Sequence, residues 1–340
     1  MDATEGVTPL DDQFGVAEPL TVPILLQDIL FGQPEPTEAN LAEAGGDFAK
    51  VSPLHTYAIL DAAKVTNLPD TLEASGLEHR CLFKGDAYDE LKDVAPWLVR
   101  LEEGKTFTRN LFKRSDAPWH LWDKEPGIFL RSHIPLSALW KHLRKFTRLR
   151  DQSTRWHFFR FWEGLLIEPL HDNPHKFPMY QKSIAQIMAD LVPLIVSVTS
   201  RISVRITQPD PNIANDKIVL MPDKLELRRL SLHRNMILAA DDLFEVGPDW
   251  VEGHYGTRRE LSLQLREFID FCLDYHINDS DIRSHLMQLI FAHDSPRWPD
   301  CLVSKPFERM KEDKLQAEAR AMDWIYATRF QLKQSKKGVF

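Results

Sequence analysis

Between residues 127 and 162 the apolar positions change period twice, and the changes delimit a strand, a helix and a second strand. Gly127–Arg131 is a short apolar run with a β-branched start, as a buried strand requires. Pro135 suits the first turn of a helix, where its missing N–H would be unpaired anyway. After it, Leu136, Leu139, Trp140, Leu143 and Phe146 recur at the spacing of one helical face. From Arg155 to Trp162 the period is two: Trp156, Phe158, Arg160 and Trp162 alternate with Arg155, His157, Phe159 and Phe161. Aromatic residues in both sets predict a central strand of an α/β sheet, covered on both faces.

The same reading extends upstream. It predicts a strand over Thr56–Ala62, a helix from Asn67 to Ser75 stopped by Gly76, and a short strand over Arg80–Phe83. A helix from Gly85-Asp86 through Leu91, a strand over Trp97–Leu101 and a helix within 105–115 follow. Strands alternating with helices predict a mostly parallel or mixed sheet. Residues 1–50 read as an arm punctuated by Pro and acidic residues and closed by Gly45-Gly46. Its one apolar cluster, Leu20 to Phe31, predicts a short amphipathic helix over Pro23–Phe31. Such a cluster either docks on its own domain or serves a partner, since a disordered arm would not usually carry one.

Downstream, His171-Asp172-Asn173-Pro174-His175 reads as a loop by its turn residues. Phe177–Leu191 has helical spacing, Ile195–Thr207 alternates as a strand or hairpin does, Pro209–Asp216 is rich in turn residues and Ile218–Met221 pairs as a strand. Helices follow at about 225–245, 257–276, 279–293 and 306–332, with Asp279 or Ser280 capping the third. Gly247-Pro248 and Pro296–Pro299 separate helices. The expected organisation is an acidic arm over 1–50 and an α/β (α+β) lobe over 51–172, its mixed sheet flanked by helices. A mainly α-helical lobe over 173–332 and a basic tail over 333–340 complete it. Residues 209–224 are the second choice for the boundary between lobes.

Length and composition bound the function. A chain of 340 residues has ample length to bury a core, and 43% hydrophobic with 27% charged residues is a soluble globular balance. Cys81, Cys272 and Cys301 show no CxxC spacing, which fits free thiols in a reducing compartment. There is no apolar run of about 18 residues and no basic-then-apolar signal at the N-terminus, so a cytoplasmic location without a membrane partner is expected. The net charge of −8 hides an asymmetry. Residues 1–50 carry ten Asp and Glu against Lys50 alone, whereas 131–160 carry eight Lys and Arg against Asp151 alone. Basic residues interleaved with aromatics are a nucleic-acid signal, but a pI of about 5.9 argues against that partner.

Little in the sequence points to catalysis. Neither GxGxxG, the phosphate-cradling GxxxxGK, GxSxG nor HExxH occurs. His171 and His175 have ligand-compatible spacing, with His157 or Asp172 as a third ligand, and Cys81 is a candidate nucleophile; these define the alternative of a metal- or Cys-dependent enzyme. Asp210, Asn212 and Asp216 resemble a calcium loop that lacks its central Gly and closing Glu. Six tryptophans, Trp97, Trp119, Trp122, Trp140, Trp156 and Trp162, are more informative. Trp119 and Trp122, beside Pro118 and Asp123, are the candidates for exposure at a binding face, and Trp140 and Trp156 for the core. Arg144 and Arg160 need partners if buried, with Asp61, Asp123 and Glu163 as candidates.

Several blocks in this stretch resemble, in order and spacing, the DUF4123 family. They are Tyr57-Ala58-Ile59-Leu60-Asp61-Ala62, Cys81-Leu82-Phe83, Ala95-Pro96-Trp97-Leu98-Val99, the Gly127–Ser132 strand, the helix ending His142-Leu143-Arg144, and Phe159-Arg160-Phe161. Together they span about residues 54–170. Where the family follows its Phe-Arg strand with Asp-Pro, this chain has Glu163-Gly164, which keeps the charge. The resemblance implies an adaptor chaperone of bacterial type VI secretion, which loads a toxic effector onto the VgrG or PAAR spike. It implies no catalysis and no cofactor, with the cognate effector as partner and VgrG or PAAR as a second. The expected mode is helix-in-groove or added-strand binding. The candidate partner-binding residues are Trp119, Trp122, Arg131, His142, Arg144, Arg160, Trp162 and Glu163.

Overall fold

The structure, a computed structural model, describes residues 2–4, 6–150, 154–189, 191–199, 203–208, 223–291 and 316–337. In chain order its elements are β1 (Asp2–Thr4), α1 (Ile24–Phe31), α2 (Glu38–Glu43), β2 (His55–Asp61), α3 (Leu68–Ser75), β3 (His79–Cys81), α4 (Asp86–Leu91) and β4 (Pro96–Leu101). Then come α5 (Thr106–Leu111), β5 (Gly127–Ser132), α6 (Leu136–Leu143), β6 (Arg148–Arg150), β7 (Trp156–Phe158), α7 (Gly164–Asp172), α8 (Pro178–Met188), β8 (Leu194–Thr199) and β9 (Ser203–Thr207). The helices α9 (Lys224–Val246), α10 (Pro248–Tyr255), α11 (Arg258–Asp274), α12 (Ser280–Phe291) and α13 (Ala317–Lys337) close the chain. It divides into two compact units, Met1–Glu226 and Leu227–Phe340.

The first unit is built on a seven-stranded sheet of order β1-β9-β8-β5-β2-β4-β3. Every pairing in it is antiparallel, so the sheet is not mixed. The alternation of strands and helices still has its usual cause. β2 and β3 run parallel with β4 inserted between them, and β4 and β5 run parallel with β2 between them. The crossovers through α3 and α5 thus join parallel strands with an antiparallel strand filling the gap, whereas α4 links the antiparallel neighbours β3 and β4. The sheet also continues past residue 172, because the hairpin β8–β9 pairs with β5 and carries β1 at the outer edge.

Period-two alternation puts each strand's residues on opposite faces. Ala58, Leu60, Val99, Phe129, Val196 and Val204 face a core with Leu26 and Leu30 of α1, Leu68 and Leu72 of α3 and Leu111 of α5. The other face carries Tyr57, Ile59, Leu98, Ile128 and Leu130, all fully buried. There α6 packs on β4 and α7 on β8. Gly127 is required by the approach of β2: a Cβ there would lie 1.8 Å from the Ile59 carbonyl oxygen. Gly76, at φ +67°, takes the left-handed position that ends α3.

The described residues of the arm are docked rather than free. Val7, Leu10, Val22, Leu26 and Leu30 are buried in the core. Gln33 exchanges two hydrogen bonds of 2.9 Å with the Leu54 backbone, and Arg109 donates to the Leu20 carbonyl at 3.0 Å.

The strand expected over 155–162 differs most. Only Trp156–Phe158 is extended, and it pairs with β6 in a separate two-stranded hairpin. Phe159 N–H closes that ladder on the Thr147 carbonyl, the chain turns through Arg160–Glu163, and α7 begins. Phe159, Phe161 and Trp162 are buried in the turn, whereas Trp156 and Phe158 are 59% and 52% exposed. Aromatics on both alternations thus come from a surface hairpin followed by a buried turn, not from a strand covered twice. α7 also runs through His171 and Asp172, where a loop was expected.

The second unit is helical, as the spacing predicts, with α10 as a helix the periodicity did not reveal. Leu261, Leu265, Phe268, Ile269 and Cys272 of α11 pack with Leu286 and Leu289 of α12 and with Ala321, Trp324 and Ile325 of α13. Thr257 and Glu260 form a capping box at the start of α11, and Asp279 accepts the Ile282 N–H at 2.9 Å to cap α12. Among its buried polar groups, Arg229 pairs with Asp270 and with Asp274, and His233 meets Asp270 at 2.9 Å. The strand expected over 218–221, the loop over 209–216 with its calcium-like residues, Pro296–Pro299 and Cys301 lie outside the described residues.

Candidate functional site

The residues singled out in the sequence separate into buried structural groups and an exposed face. Asp61 ends β2 and is 1% exposed. Arg160 donates to its Oδ2 at 2.5 Å and pairs through Nε with Glu163 at 2.6 Å. The Trp162 indole donates to the same Asp61 oxygen at 3.2 Å, and the Ala63 N–H donates to Oδ1 at 3.0 Å. Both carboxylates are buried, while the arginine that neutralises them is 43% exposed. Two of the three carboxylates proposed for the arginines are therefore engaged, and by Arg160. Asp123 pairs instead with Arg114 at 2.7 Å.

Arg131 is 1% exposed and serves the arm. Its guanidinium donates to the carbonyls of Ile29 at 2.8 Å, Gly32 at 2.6 Å and Leu54 at 3.0 Å. Burial lowers its pKa to about 10, so it stays cationic at neutral pH. Trp122, expected to be exposed, is 2% exposed, because it packs near Phe112 in the core that also holds Phe129 of β5. Trp119 is exposed at 60% and stands edge-on to His120.

His142 holds α6 to α8, its Nε2 2.8 Å from the Ile187 carbonyl. Burial lowers its pKa, as it does for His55, His120 and His233. Below about pH 6.5 the unfolded chain therefore binds more protons than the folded one, so stability is full above that pH and is lost as pH falls. The melting temperature is expected to drop between pH 7.5 and pH 5.5, and His142→Gln to flatten part of that slope. A flat profile in the unmodified chain would contradict the assignment.

The exposed face was only half visible in the sequence. In the hairpin, Arg148 opposes Phe158 and Arg150 opposes Trp156 across the ladder. Each guanidinium lies over its aromatic partner, at 4.9 Å and 4.7 Å from the ring centroid. Trp140, buried as expected, carries Arg80 at 3.7 Å and Arg144 at 4.8 Å over its ring. Arg144 thus takes an indole in place of the carboxylate expected for it. Phe83 joins the two groups, its ring 5.5 Å from Phe158. Beside them lies a cleft of about 540 Å³ bounded by Arg80, Phe83, Lys84, Tyr88, Trp97 and Trp140. Trp156, expected in the core, belongs to this exposed face. The missed signal was a hairpin pattern: Arg-Leu-Arg and Trp-His-Phe separated by Asp-Gln-Ser-Thr-Arg.

β3 is an edge of the sheet beside this cleft. The Trp140 indole donates to the Cys81 carbonyl at 2.6 Å, so part of that edge is already capped. Burial pushes the Cys81 thiol up to about 11 and the Cys272 thiol up as well, which keeps both in the poorly nucleophilic thiol form. Among the described residues no three His, Cys, Asp or Glu are grouped to hold a metal ion, and no helix is long and apolar enough to cross a membrane.

The segment that carries this face matches a family model. Residues 56–176 match the family model DUF4123, a domain of unknown function. The match begins in β2 and takes in Asp61, the cleft, the hairpin and the Arg160–Glu163 turn. Neither the curated proteins nor the solved structures contain a match to the chain.

Proposed function

We propose that the chain is a non-catalytic adaptor chaperone that binds a type VI secretion effector and helps load it onto the VgrG or PAAR spike. The observation that carries this reading is the position of the exposed arginine–aromatic hairpin within the DUF4123-matching segment. Trp and Arg in partly desolvated clusters are the residue types that dominate protein–protein binding energy. Binding apolar effector surface would stabilise the effector by mass action. The residues assigned above do structural or contact work: Arg131 clamps the arm, Arg160 neutralises two buried acids, and Cys81 is held as a thiol.

Co-expression with the cognate effector is expected to raise its soluble yield several-fold, with the two proteins co-purifying. An unchanged yield together with no co-purification, from a folded adaptor, would overturn the reading.

A further inference from the structure

The arginines of the exposed face are stacked but not neutralised. Arg80, Arg144, Arg148 and Arg150 lie over aromatic rings, and none of the ion pairs of the described residues engages them. Lys84, Lys141 and Lys145 add charge on the same segments. Two carboxylates, Asp70 and Glu73, also line the cleft, and Glu73 faces His79 at 3.7 Å.

Their position over the rings limits what these groups can bind. A guanidinium over a ring occupies that ring face, and its N–H groups form paired bonds to a carboxylate. A nucleic-acid strand would need those ring faces free for its bases. A polypeptide carboxylate needs only the N–H groups. The register narrows the ligand further. Arg148 and Arg150 are two residues apart on β6, which puts them on one face with a repeat of roughly 6.5–7 Å. An extended segment with acids at alternate positions has the same repeat.

We propose that this face binds an extended acidic segment of a partner polypeptide, its alternate carboxylates meeting Arg148 and Arg150 while the chain runs toward Arg80 and the cleft beside Trp140. The proposal rests on the adaptor reading above and names the chemistry of its cargo contact. Side chains carry the recognition, because the Trp140 indole already holds the Cys81 carbonyl of the β3 edge.

The test measures fluorescence anisotropy of the full chain with three labelled probes of equal length: alternating Glu-Thr, alternating Lys-Thr, and oligothymidylate. Saturable binding of the Glu-Thr peptide is expected, weakening with salt. R148E/R150E should weaken it at least tenfold while leaving the circular dichroism unchanged, because both residues are exposed. Lys50→Glu, on an exposed site away from the hairpin, should leave it unchanged. No saturable binding, equal binding by R148E/R150E, or tighter binding of the oligonucleotide would overturn the proposal. The two readings fail separately. Effector that co-purifies equally with R148E/R150E removes this site and leaves the adaptor reading standing, whereas effector that fails to co-purify with the unmodified chain removes the adaptor reading itself.

Discussion

Replacing Arg131 with methionine is expected to detach the N-terminal arm and to lower stability by about 3–5 kcal/mol. The reasoning starts from three carbonyls, those of Ile29, Gly32 and Leu54, all served by one buried guanidinium. Methionine fills similar space but donates nothing. Leu54 keeps its bond from Gln33, but the Ile29 and Gly32 carbonyls lose this donor, at about 1–3 kcal/mol each. The arm also has a way to relieve that cost: it can undock and hydrate those groups. The ceiling is then the energy holding the arm, largely the burial of Leu26 and Leu30, at about 1.5–3 kcal/mol each. The signature should therefore be local. Limited proteolysis should cut within residues 1–54 far faster than in the unmodified chain, and hydrogen exchange should rise in α1 before it rises in β5. Arg131→Lys should recover only part of the loss, since an ammonium lacks the planar fork that reaches three acceptors. An unchanged cleavage pattern in Arg131→Met would show that the arm is held by other contacts.

Arg160→Ala should cost about 2–4 kcal/mol, measured by urea unfolding. It leaves Asp61 and Glu163, both buried, without their shared cation. Stranding a buried charge by removing its partner typically costs about 3–5 kcal/mol. The lower figure here reflects the 43% exposure of Arg160, because water screens part of the attraction. Asp61 also retains the Trp162 and Ala63 donors. The decisive comparison is the double substitution Asp61→Asn with Arg160→Gln. If the pair is coupled as the geometry indicates, the double variant loses less than the two single losses added together. Simple additivity would mean that the contact contributes nothing beyond its separate parts. The fluorescence of Trp162 should report the same event, since its indole donates to the Asp61 oxygen that Arg160 holds.

The sequence by itself determined the local elements of the first unit with good fidelity. β2, β4, β5, α1, α4 and α6 lie within a few residues of the periodic segments that predict them, because each buries one face and so carries its own period. Gly76 and Asp279 were readable as a stop and a cap for the same reason: their roles are set by backbone conformation within one turn. The DUF4123 resemblance was readable too, since it rests on the order of short blocks, and the family match covers the same stretch.

Pairing was not readable. Alternating strands and helices fit a mostly parallel or mixed sheet, and only the tertiary structure shows that an antiparallel strand separates each parallel pair. Which side chains are buried was decided at the same level. The alternation from Trp156 to Trp162 is one pattern in the sequence, yet its first aromatics stand in solvent and Phe159, Phe161 and Trp162 are buried at the turn into α7. Period two says that two faces differ; it does not say what covers them. Likewise Arg131 and Arg148 are alike in a charge count. One is buried under three carbonyls 77 to 102 residues away in sequence, and the other lies over a phenylalanine at the surface. Long-range contacts of this kind leave no periodic trace, because neither partner's neighbours along the chain respond to them.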